Sequence, residues 1–364
     1  MISRHTVRII RVIKGVIINE KEANGCKFRE TMKLNLSSKI FSVRGKILMI
    51  VSASRRTDIP AFYGEWLYRR VEEGWAVAVN PFTKAAVMVS LDPQDVYALV
   101  LWSKNFRPFL PYLEYLDQRK YNLYFLFTIT GMSGQFEPHV PPKEEMVEVF
   151  RYLSERYSPE HVQWRFDPIL ITTEMGRDYY LERFEYMARR LKGYTRRCYI
   201  SFANRYRKVE VRFQKRFGNS SRWLELELEE KQKLVREMAQ IAERYGISLY
   251  SCCQPELVGE GVKRGSCVDY LYMTAVFGEL IPAPKKSPTR AGCCCYESID
   301  IGMYDTCLHD CVYCYANQDH WRALKRYRAH RPESPSLLPG ECKFNENKGS
   351  NRIPGLFCQP KLIS

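Results

Sequence analysis

Three cysteines near the carboxyl end of the chain have the spacing of a metal-binding loop. Cys307, Cys311 and Cys314 form the pattern C-x3-C-x2-C, and Tyr313 precedes the last of them. Three thiolates on one short loop can each bind one iron of a cubic four-iron cluster, whose site normally has four cysteine ligands. The fourth iron then keeps a position open for another ligand. The spacing therefore predicts a [4Fe-4S] cluster with chemistry at its free iron.

A second set of cysteines lies upstream of this loop. Its members are Cys252, Cys253, Cys267, Cys293, Cys294 and Cys295. Four of them could bind another iron–sulfur cluster or a tetrahedral zinc, and the favoured ligands are Cys252 or Cys253, Cys267, Cys293 and Cys295. The alternative is that Cys252 and Cys253 end a buried strand, where a free cysteine behaves as a small apolar residue.

Zinc is also the alternative at the first site, where His309 or His320 could complete a structural site with the three cysteines. Disulfides are a less suitable explanation, because the total of thirteen cysteines is odd and several of them are adjacent in sequence. Metal binding in a reducing compartment fits this pattern better, and we expect a cytoplasmic protein.

Composition and charge divide the chain of 364 residues. Residues 1–48 contain eleven Lys or Arg and three Glu, and so carry +8 of the net charge of +15. We expect a weakly ordered basic extension there, derived from an early start codon, with Met49 as the true start. Residues 49–250 are predicted to form the barrel domain, 251–335 a cysteine-rich segment packed on its mouth, and 336–364 a tail. No apolar run approaches the roughly 18 residues of a membrane span.

Short apolar segments alternate with longer amphipathic ones from Ile50 onward. The predicted strands are 48–53, 75–79, 98–102, 122–128, 162–167, 197–202 and 247–251, and the clearest helices are 143–157, 178–192 and 224–245. Alternating strands and helices indicate a parallel sheet. The fold class predicted is α/β, with a complete or partial TIM-type barrel of parallel strands and a carboxyl-terminal cluster-binding segment.

Polar side chains follow the predicted strands at the point where each ends. They include Arg55, Asp58, Asn80, Lys104, Asn105, Arg165, Asp167 and Ser201. The carboxyl ends of parallel barrel strands surround one shared cavity, where active sites form. We therefore expect these residues at one rim. The alternatives are that Asp58 caps a helix and that Arg165 and Asp167 are a buried ion pair.

Several phrases of the sequence resemble a known family. They are Ser52-Ala-Ser-Arg-Arg-Thr-Asp-Ile-Pro60, Trp164-Arg-Phe-Asp-Pro168 and Asp300-Ile-Gly302, together with Asn80-Pro-Phe82 and Trp102-Ser-Lys-Asn105. Over roughly residues 49–335 the chain resembles the family called domain of unknown function 1848, which has no assigned reaction. The cysteine loop resembles that of radical S-adenosylmethionine enzymes, C-x3-C-x-aromatic-C. In those enzymes the loop follows the first barrel strand, whereas here it comes last, which implies a rearranged chain order.

This second resemblance implies an enzyme that cleaves S-adenosylmethionine reductively and takes its electron from a donor such as ferredoxin or flavodoxin. Tyr313 is then expected to contact adenine, and Asn80, Asn105 and Ser201 are further candidate cofactor contacts. The candidate catalytic residues are Arg55, Asp58, Lys104, Arg165 and Asp167. Asp167 would accept from the cofactor's ammonium or ribose, and Arg55, Lys104 or Arg165 would bind a carboxylate or an acidic substrate.

The substrate is less constrained. Residues 205–216 interleave aromatic and basic side chains, as nucleic-acid-binding surfaces do, although a solvated helix face has the same composition. Nucleic acid is therefore one candidate substrate, beside a small metabolite or a peptide. The alternative functions are a non-catalytic iron–sulfur electron carrier or sensor and a structural zinc-binding protein.

Overall fold

The structure is a computed structural model that describes residues 48–340 and, before them, three short strands. The chain forms two compact units, Met1–Lys46 and Ile47–Ser364. In the first unit an antiparallel sheet contains β1 (Arg11–Ile13), β2 (Val16–Ile18) and β3 (Met32–Lys33). The weak order expected for residues 1–48 otherwise lies outside the described residues, as does the tail from residue 341 onward.

The second unit is built on an eight-stranded sheet in which every pairing is parallel. A separate antiparallel hairpin consists of β5 (Trp75–Val79) and β6 (Ala86–Ser90). The strands of the main sheet, in chain order, are β4 (Met49–Ala53), β7 (Val96–Ser103), β8 (Leu123–Thr128), β9 (Val162–Ile169), β10 (Arg197–Phe202), β11 (Ser248–Ser251), β12 (Val262–Arg264) and β13 (Ile299–Asp300).

The order of the strands across the sheet is β12-β11-β10-β9-β8-β7-β4-β13. Strands β4 and β7 to β12 thus follow one another in chain order, and the last strand, β13, returns to pair with the first, β4. The predicted α/β class with a parallel sheet is confirmed. This order is compatible with a TIM-type barrel, and within the described residues no pairing joins β12 to β13.

Helices occupy most of the connections between strands. Three of the predicted helices lie within a few residues of their expected bounds, and α7 begins with a capping box between Glu227 and Glu230. No helix in the described part of the chain is long and apolar enough to cross a membrane. The helices are α1 (Ile59–Phe62), α2 (Gly64–Glu73), α3 (Leu113–Gln118), α4 (Lys143–Arg156), α5 (Arg177–Arg190), α6 (Arg207–Phe217), α7 (Leu228–Arg244), α8 (Tyr270–Phe277) and α9 (His320–Ala329).

Apolar side chains cover both faces of the sheet, which explains its continuous apolar strands. On one face, residues such as Leu101 and Phe125 pack in a single core with helices α4, α5 and α7. On the other face, Val100 and Leu126 belong to a second core that includes Tyr270 and Met273 of α8. Helix α8 is therefore packed against the face opposite the other helices.

Three expectations about organisation need correction. Strand β5 pairs only with β6 in the described structure, so Asn80 does not end a strand of the parallel sheet. The segment 251–335 does not simply pack on a finished barrel, because β12, α8 and β13 are parts of the sheet and its core. The tail predicted from residue 336 begins too early, since Leu337 and Leu338 are buried in the main core. Each error arises because local apolar patterns do not reveal which segments of the chain pair or pack with one another.

The pairing of β13 with β4 depends on a carboxylate and a glycine. Asp300 accepts hydrogen bonds from the hydroxyls of Ser52 at 3.0 Å and Ser54 at 2.7 Å, and from the backbone N–H of Arg55 at 2.8 Å. A Cβ on Gly302 would overlap the hydroxyl oxygen of Ser54 and lie 2.5 Å from its Cβ. The close approach of these two segments therefore requires glycine at position 302.

Substitution Gly302→Ala should destabilise the second unit, because the added methyl must displace Ser54 and weaken its bond to Asp300. Overpacking of this kind costs about 1–3 kcal/mol in free energy of unfolding. Gly134→Ala is the matched control, since a Cβ there meets no atom within 4 Å. Denaturant unfolding of both variants measures the difference, and equal stability would contradict the proposed close contact.

Candidate metal centres

The loop that contains the three cysteines lies at the carboxyl edge of the parallel sheet. It follows β13, and the ring of His309 connects it to the segment after β4, with Nε2 2.8 Å from the carboxylate Oδ2 of Asp58. The other ring nitrogen, Nδ1, lies 3.1 Å from the carbonyl oxygen of His139. Both neighbours are acceptors, so the ring can satisfy both bonds only by donating from both nitrogens. His309 then has no lone pair for a metal.

Asp58 is buried and uses both carboxylate oxygens. Oδ1 accepts from the N–H of Ala61 at 3.0 Å, which caps α1, and from the hydroxyl of Ser103 at 2.7 Å. Oδ2 accepts from the N–H of Lys104 at 2.8 Å as well as from His309. The expected capping role is therefore present. Asp58 also positions the cysteine loop against the ends of β4 and β7, and no oxygen remains for catalysis.

Arg212 on α6 holds the same loop from the other side. Its guanidinium donates to the carbonyl oxygens of Cys311 at 3.1 Å, Val312 at 3.2 Å and Cys314 at 3.0 Å. Two further bonds reach the carbonyls of Asn317 at 2.6 Å and Gln318 at 3.1 Å. These five carbonyls all accept from one guanidinium, which holds the loop in a single curved conformation. The positions of the three sulfurs relative to the sheet are therefore fixed.

Charged groups from two other strand ends border the loop. Lys104, after β7, forms an ion pair with Glu137 at 2.7 Å, and its ammonium lies 5.6 Å from the ring centre of Tyr313. Glu137 also accepts from the hydroxyls of Thr130, at 2.9 Å, and Tyr313. Tyr313 is thus oriented by a carboxylate that the sequence did not single out.

Two thiols of the loop, those of Cys307 and Cys311, have raised pKa values. Burial raises the pKa of Cys307 well above its usual value, and the charges of Asp58, Cys314 and Cys311 raise it further. Burial likewise raises the pKa of Cys311, although the charge of Lys104 opposes this effect. Thiolates are the metal-binding form, so this site would need a strongly positive centre to hold three of them.

The spacing of the loop sulfurs can be compared with the spacing of ligands around a zinc ion. Within residues 48–340, one group of three His, Cys, Asp or Glu residues has all its ligand atoms within 4.8 Å of one another, and it consists of His139, Asp310 and His320. The three loop sulfurs are therefore more widely spread. Four thiolates around zinc, with bonds of about 2.3 Å, lie only about 3.8 Å apart. The loop sulfurs of this structure are thus spread more widely than zinc ligands, and His320 is grouped with His139 and Asp310.

The second set of cysteines also comes together in the fold. Cys252 lies 3.3 Å from Cys267 and 3.7 Å from Cys253, sulfur to sulfur. Cys293 is within hydrogen-bonding reach of Cys253 and Cys295, and Cys295 of Cys267, so five thiols form a closed ring. No three of these sulfurs lie within 4.8 Å of one another. The spacing of the sulfurs thus fits the perimeter of a larger site better than the tetrahedron of ligands around one zinc ion.

Two arginines and a glycine shape this ring. Arg165 donates from Nη1 to the sulfur of Cys267 at 2.7 Å, and Arg290 hydrogen-bonds Cys253. A Cβ on Gly292 would lie 2.5 Å from the carbonyl oxygen of Cys253, so glycine allows the triplet to approach. Hydrogen bonds shared with Cys253 and then Cys267 lower the pKa of Cys252. Hydrogen bonds with Cys252 raise the pKa of Cys253 and of Cys267, so negative charge is favoured on some thiols of the ring and not on all of them.

Arg55, Trp102 and Arg165 lie between the two cysteine groups and form what we call the floor of the site. Two of their side-chain nitrogens form no hydrogen bond. The guanidinium carbons of Arg165 and Arg55 lie 5.1 and 5.8 Å from the ring centre of Trp102. Arg55 Nε and Trp102 Nε1 are buried and have no hydrogen-bond partner. Tyr315, next to Cys314, donates to the carbonyl of Arg55 at 2.7 Å. Buried unpaired donors are costly, which indicates a place for an acceptor-bearing ligand.

The remaining candidate residues have structural partners. Asp167 pairs with Arg165 and accepts from Ser201, so the expected buried pair is present. The side-chain oxygen of Asn105 accepts from the N–H of Arg107 at 3.1 Å and shapes the turn after β7. Asn80 similarly supports the β5–β6 turn, where its side-chain oxygen accepts from the N–H groups of Phe82 and Thr83. A contact of Asn80 with a cofactor stays a prediction.

Three residues hold the cysteine loop or Tyr313 in place and were not identified in that role from the sequence: Glu137, Arg212 and His309. Arg212 was visible only as one of several cations in a basic stretch, and Glu137 as one acid in a Pro-rich loop. Neither residue has a local signal, because the partners that connect it to the site, Lys104 for Glu137 and the cysteine loop for Arg212, are over 30 residues away. Asp300 precedes the cysteines closely, and its charge beside the regularly spaced cysteines of the loop could have indicated an anchor.

Fold and site together define an α/β protein with two cysteine groups near the carboxyl edge of a parallel sheet. The family model described as Domain of unknown function (DUF1848) matches residues 50–316. The chain therefore belongs to this family, as the sequence phrases predicted. No curated protein and no solved structure matches the chain.

Substitution Arg212→Ala should loosen the cysteine loop, because five carbonyls lose their common donor. We expect faster amide hydrogen exchange in residues 305–319, measured by mass spectrometry, with little change in the strands. Lys215→Ala, an exposed position on the same helix, is the control. Unchanged exchange in Arg212→Ala would show that the loop is held by other contacts.

Proposed function

We propose that this protein is an iron–sulfur enzyme of the radical S-adenosylmethionine type. The observation that carries the proposal is the position of Cys307, Cys311 and Cys314 at the carboxyl edge of the sheet, where Asp58 and Arg212 anchor their loop. When bound, a cluster with one open iron supplies the electron that cleaves S-adenosylmethionine into methionine and a 5'-deoxyadenosyl radical. The donor set fits such a cluster, since it consists of three soft thiolates with a wide separation.

The residues of the chain position and shield the reactants. Tyr313 offers a ring to adenine, and its hydroxyl is fixed by Glu137. Trp102 Nε1 and Arg55 Nε form no hydrogen bond, although Arg55 Nε lies 4.0 Å from Oδ2 of Asp300, and both are donors that suit the cofactor's carboxylate. Lys104 balances the charge beside Cys311, which opposes the rise in the pKa of that thiol. Arg165 and Asp167 neutralise each other, so they orient the floor and do not transfer protons.

We also propose that the parallel sheet forms a partial barrel. The strand order matches eight consecutive barrel strands if the seventh, β12, and the eighth, β13, face each other across a gap. Helix α8 and part of the second cysteine group, Cys267 and the triplet Cys293 to Cys295, belong to the segment between them, whereas Cys252 and Cys253 precede β12. Such a barrel would enclose the radical on most sides and would leave an entrance at the carboxyl edge.

The ring of five cysteines supports a second iron–sulfur cluster beside the first. Its arginines, Arg165 and Arg290, would offset the negative charge of the thiolates. Two adjacent clusters would also suit an electron carrier or sensor, which is the competing function. The two functions differ in whether S-adenosylmethionine is consumed.

Protein purified without oxygen, reduced with dithionite and mixed with S-adenosylmethionine should form 5'-deoxyadenosine, quantified by liquid chromatography. A Cys307→Ala, Cys311→Ala, Cys314→Ala variant should form none and should lose the corresponding Mössbauer signal, because the iron ligands are gone. Cys198→Ala is the control, since that thiol lies in the core on the helical face of the sheet. An intact cluster without 5'-deoxyadenosine would favour the carrier or sensor.

Removal of one thiol from the ring should show how much of the iron belongs to each of the two centres. Cys267→Ala breaks contacts with both Cys252 and Arg165. We expect iron and acid-labile sulfide to fall by about half, with the signal of the first cluster retained. Metal analysis that found zinc in place of the lost iron would identify the ring as a structural zinc site.

A further inference from the structure

A cavity of about 480 Å³ opens beside the cysteine loop and is not used by the chemistry described above. Its wall includes Tyr315 and Ala316, which directly follow Cys314. Residues from the β5–β6 turn, the start of α6 and helix α9 complete it. The volume is in the range of pockets that hold a nucleotide-sized ligand.

The lining is strongly basic. It contains one carboxylate, Asp305, and five cations, which are Arg56, Lys84, Lys208, Arg322 and Arg326. Three of the arginines are held in fixed positions by the protein: Arg56 donates to the carbonyl of Val79 at 3.2 Å, Arg322 pairs with Asp305 at 3.1 Å, and Arg326 donates to the carbonyl of Tyr304 at 2.8 Å. A concave surface with this charge attracts phosphate groups.

Aromatic rings are exposed at the same cavity. Phe82 is 88% exposed, and Tyr206 and Tyr315 are 41% and 43% exposed. The side chain of Asn80 accepts from the N–H of Phe82 at 2.9 Å and so presents this ring at the tip of the hairpin. The rings of Tyr206 and Tyr315 lie 6.5 Å apart, centre to centre. Three exposed rings among cations have no role in the core, but they can stack on bases.

We propose that this cavity binds single-stranded nucleic acid, with bases stacked on the rings and phosphates bound by the cations. A duplex would not suffice, because paired bases are stacked on one another and do not reach side chains. The proposal rests on the proposed function only in naming the strand as substrate. A strand seated there would pass close to Cys314, where the 5'-deoxyadenosyl radical of the proposed function would take a hydrogen atom from the strand, giving 5'-deoxyadenosine and a radical on the strand.

Binding is measured by fluorescence anisotropy of a labelled 12-nucleotide DNA or RNA against anaerobically purified full-length protein, at several salt concentrations. We expect affinity to fall with salt, and Lys208→Ala to reduce the slope of log K against log salt by about 0.7. Phe82→Ala should weaken binding roughly fivefold to a hundredfold, as the loss of one stacked base does. The controls are Lys192→Ala and Leu280→Ala, exposed residues that do not line the cavity.

Three results would overturn the proposal: equal affinity for duplex and single strand, equal affinity for a free mononucleotide, or no greater effect of the cavity variants than of the controls. The second result would assign the cavity to a small phosphorylated metabolite. Formation of 5'-deoxyadenosine is measured separately. Its presence without strand binding would refute this inference alone, and strand binding without it would refute the proposed function alone.

Discussion

The bond between Asp58 and His309 is the contact on which the proposed site depends. It joins residues that are 251 positions apart and fixes the cysteine loop against the ends of β4 and β7. Both partners are buried, and each has further hydrogen bonds that hold it in place. A buried carboxylate with an incomplete set of donors is costly, so the network is stable only when the loop is in position. Folding of the loop and of the first strand end is therefore coupled.

The topology makes this contact possible. Since β13 pairs with β4, the last strand of the sheet delivers the cysteine loop to the edge where the first strand ends. Asp300 and Gly302 allow the two segments to meet closely. The late position of the loop in the chain is thus compatible with a place beside the first strand. Order along the chain and position in space are different properties here.

Charge compensation organises the floor between the two cysteine groups. Arg165 contacts the second group directly, and Lys104 lies beside Cys311 of the first, each paired also with a carboxylate. Several candidate catalytic residues are therefore engaged in holding sulfur atoms and their neighbours. Arg55 Nε and Trp102 Nε1, beside these residues, are buried and form no hydrogen bond.

The sequence by itself determined the α/β class, most strands of the sheet, the family and the two groups of cysteines, because apolar periodicity and ligand spacing are local properties. It could not determine that β5 leaves the sheet, that β13 pairs with β4, or that Arg212 and Glu137 support the loop. These features depend on contacts between distant segments, and their energies come from packing and from satisfying buried polar groups. Only the tertiary structure decided which of the polar residues at strand ends are anchors, and which atoms remain free for chemistry.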